Sequence, residues 1–335
     1  MVSLWRCSLI PTIAPQLLDV TLRDGGYVND WQFSIEDALA IISTLSRAGV
    51  AYIEVGYYRS RLAGNGAGKS GPSSCCGREY LEAVSRVRGD SKLTVMIHLN
   101  DVTPADYAFL ADNGVSCARF IISTNSLPRI EPHIDAAHAA NLSASVNLIR
   151  TSERTTENIV TCARAAEKMG ADWLYIADSN GSLFPERVTE IFRELSNEVR
   201  MSLGFHAHDS LHLAFANSLA ALRAGGSMLD SSLGGMGKGA GNLITELITA
   251  YLKSSYDVPY NINEMTTVAC QTLSAWIGGD HRRRCESALS ALLDLNADQL
   301  KEMMSAAEKA NRPLLMQLES SLDELAMATP LPLRV

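Results

Sequence analysis

No apolar run in these 335 residues approaches the ~18 needed to cross a bilayer, so no membrane-spanning helix is expected. The chain has no CxxC pair. Its 7 cysteines are scattered, at Cys7, Cys75, Cys76, Cys117, Cys162, Cys270 and Cys285. That spacing argues against a thiolate zinc site or a dithiol redox pair and favours a reduced, cytoplasmic protein. Basic excess is missing too. Lys+Arg number 29 against 37 Asp+Glu, a net charge of −8, and no cationic stripe is present. Nucleic acid is therefore not an expected partner. The short run Arg282, Arg283 and Arg284 reads as a solvated helix start. The first residues lack the basic-then-apolar order of a secretory leader, so none is expected.

What is present is an alternation of short Val/Ile-rich segments with amphipathic stretches. Strands are expected at Leu17–Leu22, Tyr52–Tyr57, Leu93–Leu99, Ala118–Ser123, Ser143–Ile149, Trp173–Ala177, Ser202–His206 and Met228–Leu233. Helices are expected between them, at Ile35–Ala48, Glu79–Arg88, Pro104–Asn113, Thr156–Met169, Pro185–Val199 and His212–Ala224. Gly49, Gly114, Gly170 and Gly225 stand where a helix would stop. Eight strand–helix repeats read as an α/β fold, a (β/α)₈ TIM barrel over residues 1–255. A doubly wound open sheet uses the same alternation and is the competing architecture.

Residues 256–335 read as a helical C-terminal extension, with periodic segments at Thr266–Trp276, Cys285–Leu293 and Asp298–Ala310. It is expected to pack on the barrel or on a second subunit of a homo-oligomer, in the simplest case a dimer. The Gly/Ser-rich stretch Leu62–Gly77 reads as a long loop of the lid or binding kind. Within it, Ala63–Ser70 (AGNGAGKS) nearly matches a phosphate loop, but Gly71-Pro72-Ser73-Ser74 follows and is poor helix-starting sequence. A phosphate loop must open directly into a helix, so nucleotide binding is not expected there. Lys69 could instead meet an acidic substrate, and the adjacent Cys75 and Cys76 read as incidental.

In a barrel of this kind chemistry gathers at the carboxyl ends of the strands. The first strand runs into TLRDGG, with Arg23 and Asp24 at the rim. The seventh ends in GFHAHDS, and residues i and i+2 of a strand share a face, so His206 and His208 can point at one ion. The eighth is followed by GGMGKGAGN, ending at Asn242 as the next helix is expected to begin. One carboxylate, two imidazoles and an amide oxygen form a mixed N/O ligand set. It suits Mn²⁺, Mg²⁺ or Co²⁺ with positions left open for a substrate.

TLRDG, HxHD and GxGxGN, in this order and on these strands, resemble the motifs of the DRE-TIM metallolyases over roughly residues 17–255. GFHAHDSLHLAFANSLAALRAG, GGMGKGAGN and ADSNGSLFPE, with Asp178, Ser179 and Gly181, are most similar to the 4-hydroxy-2-oxovalerate aldolase branch. The resemblance implies a metal-dependent carbon–carbon lyase acting on the enolate of pyruvate or another 2-oxo acid, with an aldehyde as second substrate. It implies Asp24, His206 and His208 as metal ligands and Asn242 as a further one. Arg23 would hydrogen-bond the enolate oxygen and Ser179 would help seat the carboxylate.

The chain departs from its pattern in places. Aldolases of that branch carry a histidine three residues after the metal aspartate, used as a base, and here Tyr27 stands there. Tyr27 is then a candidate proton shuttle, with His98 at the end of the third strand as the alternative base. Lyases of the superfamily place a cysteine in the glycine loop, where this chain has Met236. Its synthases usually read RDGEQ where this chain reads RDGGY. An acyl-CoA Claisen-type synthase, of the isopropylmalate or homocitrate kind, stays as an alternative. So does a metal-binding scaffold that has lost catalysis, against which the retained Arg23 argues.

Overall fold

The computed structural model describes residues 14–60, 70–123, 125–256 and 258–328. The near-phosphate-loop segment and Lys69 lie outside the described residues, apart from Ser70.

Eight parallel strands close on themselves in chain order. They are β1 (Gln16–Asp19), β2 (Tyr52–Tyr58), β3 (Lys92–Ile97), β4 (Val115–Ile122), β5 (Ser143–Leu148), β6 (Trp173–Asp178), β7 (Ser202–Ala207) and β8 (Met228–Ser231). β1 closes the ring on β8, with Gln16 opposite Met228 and Asp19 opposite Ser231. A closed ring has no edge strand, and this overturns the open doubly wound sheet.

The outer layer is α1 (Ile35–Arg47), α2 (Arg78–Val87), α3 (Asp106–Asp112), α4 (Glu131–Ala139), α5 (Thr156–Lys168), α6 (Pro185–Glu198), α7 (Ala214–Arg223) and α8 (Thr245–Tyr256). Local chemistry sets their ends. Ser34 caps α1 by accepting from the Asp37 N–H (3.0 Å), and Thr155 caps α5 by accepting from Asn158 (3.2 Å). Gly49 and Gly170 stop α1 and α5 with φ of 89° and 90°, a conformation that suits glycine. α4 was not among the expected helices.

Beyond the barrel the chain is helical, as α9 (Ile262–Thr272), α10 (Ser274–Ile277), α11 (His281–Leu292), α12 (Ala297–Lys309) and α13 (Leu314–Ala328). The segment read as one helix, Thr266–Trp276, is two, broken at Leu273. α9 packs against α1, and α11 and α13 pack against α8. Buried Lys253 of α8 ties α13 down through Glu319 (3.1 Å). Glu319 also accepts the Ile262 and Asn263 N–H groups that open α9 (2.7 and 2.9 Å).

Most of the apolar core lies between helices and barrel. A smaller cluster of Leu18, Val20, Tyr52, Tyr175 and Met228 plugs the amino-terminal end of the barrel interior. Above that plug the interior turns polar and charged, with Glu54, Arg119, Asn147, His206 and Asp230 all buried. Burying so many charges is unfavourable unless each is paired.

Candidate metal centre

The chain leaves β1 in a tight turn, in which the Arg23 and Asp24 N–H groups both donate to the Val20 carbonyl (3.1 and 2.8 Å). That turn brings Asp24 over the barrel axis. From β7, His206 and His208 project to the same side, their ring centroids 4.9 Å apart and nearly perpendicular. One ligand atom each from Asp24, His206 and His208 lies within 4.8 Å of the others, and all three residues are buried. The expected i, i+2 pairing therefore holds, and the structure brings Asp24 to it.

Each imidazole has an acceptor near Nδ1, a close ionic contact for His206 and a hydrogen bond for His208. The Nδ1 of His206 lies 2.8 Å from Asp230 Oδ2, and that of His208 lies 3.3 Å from the Gly241 carbonyl. A carbonyl only accepts, so His208 Nδ1 carries the proton and Nε2 keeps its lone pair; the carboxylate favours the same tautomer in His206. Burial, then the neighbouring His206, pushes the His208 pKa down to about 4, which keeps it neutral and able to ligate at neutral pH. Burial opposes ionised Asp24, but Arg23, His206 and His208 outweigh it and hold the carboxyl well below the usual range.

Asp24 is gripped on all sides. Arg23 Nη1 donates to Oδ1 (2.5 Å), and Asn242 Nδ2 and the Lys238 N–H donate to Oδ2 (2.9 and 3.2 Å). Asn242 is not at a helix start as expected. It pairs with His208 in an isolated antiparallel bridge, and α8 opens at Thr245. The fit is close enough that a Cβ on Gly237 would stand 2.2 Å from Asn242 Nδ2.

Three buried polar atoms at the cluster complete no hydrogen bond among the described residues: Asn242 Oδ1, Arg23 Nη2 and His206 Nδ1, the last at ion-pair distance from Asp230 but not aligned for a hydrogen bond. Native structures rarely leave such atoms unpaired without a ligand or water to meet them. Three neutral or anionic donors, an amide oxygen and a free guanidinium nitrogen fit a divalent ion and an oxyanion held side by side.

The other expected residues sit around the mouth. Tyr27 is exposed, with its hydroxyl 2.9 Å from that of Tyr57 and Lys238 Nζ 5.8 Å from its ring centroid. His98, just past β3, stacks on Tyr57 at 5.6 Å; burial, helped by Arg59 and Arg23 and opposed by Asp101, lowers its pKa. Ser179 Oγ accepts from the Arg150 N–H (2.9 Å), so its hydroxyl is engaged by the β5 loop rather than by a cluster residue. Asp178 ties down the loop after β6 by accepting from Ser182 and Leu183 (3.1 and 3.0 Å). A cleft of about 630 Å³ opens beside the barrel between Tyr58, Arg78, Asp106 and Phe109, and none of the cluster residues lines it.

Sequence reading missed Tyr57, Glu54, Arg119 and Asp230. Tyr57 carries Tyr27 and His98 on one ring, and burial pushes its own phenol far up, so it stays protonated. Glu54, Arg119 and Asp230 are single charges inside apolar strand runs, and that is the signal that marks them.

The HMGL-like family model matches residues 14–272. A 4-hydroxy-2-oxovalerate aldolase of Moorella thermoacetica is 36% identical over 236 residues, 70% of this chain and 69% of that protein. An oxaloacetate decarboxylase of Mycobacterium tuberculosis is 28% identical over 71% of this chain and 70% of that protein. Among solved structures, the N-terminal domain of a putative aldolase from Bacteroides vulgatus superposes with a TM-score of 0.68 at 26% identity. It covers 79% of this chain and 89% of that one.

Proposed function

This chain belongs to the HMGL-like family, the DRE-TIM metallolyases, and we propose that it is a carbon–carbon lyase of the 2-oxo acid aldolase type, releasing or taking up the enolate of pyruvate. The observation that carries the reading is the buried Asp24–His206–His208 cluster with the unpartnered Arg23 Nη2 beside it. Asp24, His206 and His208 would hold a divalent ion, Mn²⁺ or Mg²⁺ by ligand type and Co²⁺ by the same logic, with Asn242 Oδ1 as a further donor. Such an ion supplies Lewis-acid polarisation of a keto and carboxylate oxygen pair.

The chain's own residues do the rest. Arg23 is clamped by Glu54 at Nε (2.5 Å) and by Asp24 at Nη1, so its plane is fixed and Nη2 alone is presented to a developing oxyanion. A donor held in place before charge develops loses nothing to reorganisation as the reaction proceeds. Tyr27 would move a proton between substrate hydroxyl and solvent; its hydrogen bond with the Tyr57 hydroxyl supports that role. His98 stacks on Tyr57 and is the alternative base, and Ser179 would help seat the carboxylate.

The aldehyde product or substrate would enter over the aromatic wall of Tyr27, Trp31 and Tyr57. Localisation in the cytoplasm is consistent with the scattered free cysteines, and no helix among the described residues is long and apolar enough to cross a membrane. The extension α9–α13 would complete a homo-oligomer or brace the barrel alone.

The M. tuberculosis relative favours a second reading, decarboxylation of oxaloacetate, which yields the same pyruvate enolate without an aldehyde. The test is to incubate metal-loaded protein with 4-hydroxy-2-oxo acids and with oxaloacetate, following released pyruvate. Pyruvate from the hydroxy acids, with an equimolar aldehyde, supports the aldolase. Pyruvate from oxaloacetate alone supports the decarboxylase, and release from neither removes both.

A further inference from the structure

Arg119, on β4, is completely buried in the barrel interior and stands between two carboxylates. Its Nη2 donates to Asp230 Oδ2 (2.5 Å) and to Asn147 Oδ1 (3.3 Å), and its Nη1 lies 3.5 Å from both oxygens of Glu54. The guanidinium lies 4.0 Å from the ring centroid of Tyr175. Each carboxylate in turn touches one member of the metal centre. Asp230 Oδ2 stands 2.8 Å from His206 Nδ1, an ionic contact, and Glu54 Oε2 accepts from Arg23 Nε at 2.5 Å. The six residues Asp24, Arg23, Glu54, Arg119, Asp230 and His206 thus form one continuous buried chain whose two ends belong to the same cluster.

Stability alone does not call for such a chain, since buried ion pairs can often be replaced by apolar packing with no loss. What it does supply is orientation. A carboxylate can only accept, so Asp230 beside Nδ1 favours the Nδ1-protonated tautomer of His206, and Glu54 fixes the plane of the Arg23 guanidinium. Arg119 holds both carboxylates while being separated from the mouth by them.

We propose that Arg119 is a positioning residue with two separable outputs: through Asp230 and His206 it sets the affinity for the divalent ion, and through Glu54 and Arg23 it sets the rate of enolisation. The proposal rests on the metal-centre reading above. The two links are unequal, 2.5 Å to Asp230 against 3.5 Å to Glu54, so the affinity output dominates.

The test uses the full chain, with Mn²⁺ affinity measured calorimetrically on metal-stripped protein. It also follows the rate of deuterium exchange into pyruvate at saturating Mn²⁺. Asp230→Asn is expected to weaken Mn²⁺ binding by ~10–100-fold, a larger change than in the rate at saturating Mn²⁺. Glu54→Gln is expected to do the reverse. Arg119→Met should weaken binding ~10–100-fold with a smaller loss of rate, and should add little to Asp230→Asn in the double variant. Arg119→Lys should recover part of the affinity; it preserves the readout if the Met variant fails to fold. Parent-like Mn²⁺ affinity in Arg119→Met, fully additive losses in the double variant, or equal losses of both quantities in Asp230→Asn and Glu54→Gln would overturn the proposal. A parent protein that binds no Mn²⁺ would instead overturn the metal-centre reading on which it rests.

Discussion

The hydroxyls of Tyr27 and Tyr57 stand 2.9 Å apart, one exposed at the barrel mouth and the other buried beneath it. Tyr57 is held protonated by burial, so it can donate to the Tyr27 oxygen when that oxygen gives up a proton. The Arg23 guanidinium carbon lies 6.0 Å from the Tyr57 ring centroid, adding positive charge to the same pair. Tyr27→Phe is therefore expected to lower kcat by a general acid/base factor of ~10²–10⁴ and to leave metal affinity unchanged. Steady-state kinetics and calorimetry on one preparation check both parts. Full activity in Tyr27→Phe with loss in His98→Ala would move the proton transfer to His98.

The helical extension reaches the metal centre through a buried ionic contact. His281 Nε2, on α11, lies 2.8 Å from Glu246 Oε1, and Glu246 Oε2 accepts the Gly234 N–H at 3.0 Å. Gly234 opens the loop that delivers Lys238 and Asn242 to Asp24. His281→Ala leaves a buried carboxylate short of a partner. It is expected to lower unfolding free energy by about 1.5–3 kcal/mol in denaturant titrations, and to weaken metal binding as the loop loosens. Unchanged stability and affinity would mean that the extension merely covers the barrel.

Asp19 predicts a pH dependence of stability. It is the last residue of β1, buried against the start of α8, accepting from Thr21 N–H (2.9 Å) and the Thr245 hydroxyl (3.0 Å), with Glu246 as its charged neighbour. Burial, reinforced by Glu246, outweighs these hydrogen bonds and pushes its pKa up to about 7 from 3.8. Between those values the folded chain keeps a proton that the unfolded chain has released. The contribution is therefore fully present below about pH 4, declines as pH rises, and is gone above about pH 7. Asp19→Asn should remove a slope approaching about 1.4 kcal/mol per pH unit across that window. Denaturant midpoints of parent and variant at several pH values check this. Parallel curves would show that Asp19 is ionised in the folded state.

Much of the barrel could be read from sequence because its strands are short apolar runs and most of its helices are strongly amphipathic and end in glycine. α4 escaped for a physical reason. Its EPHIDAAHA segment buries only Ile134 and Ala137, too few to make a periodic stripe. The break at Leu273 was invisible because α9 and α10 continue the same apolar periodicity across it. In the site, His206 and His208 were legible because a strand puts i and i+2 on one face, and Asp24 because its motif follows the first strand closely. The support beneath them was not. Arg119 and Asp230 meet across 111 residues of sequence, and no local pattern joins them. A lone charge in an apolar strand marks each as buried and paired without naming the partner.

If Arg23 and the Asp24–His206–His208 centre together enolise a 2-oxo acid, exchange of the pyruvate methyl protons in D₂O reports it without knowledge of the aldehyde. Proton NMR of pyruvate with Mg²⁺-loaded protein should show the methyl signal fading, and the metal-stripped protein should leave it intact. Arg23→Ala should slow the fading by an amount equivalent to ~3–4 kcal/mol of transition-state stabilisation. Arg23→Lys should restore only part of it, because a point charge cannot reproduce the clamped planar fork. A methyl signal that persists with metal confirmed bound, or that fades equally fast with Arg23→Ala, would contradict enolisation by this centre.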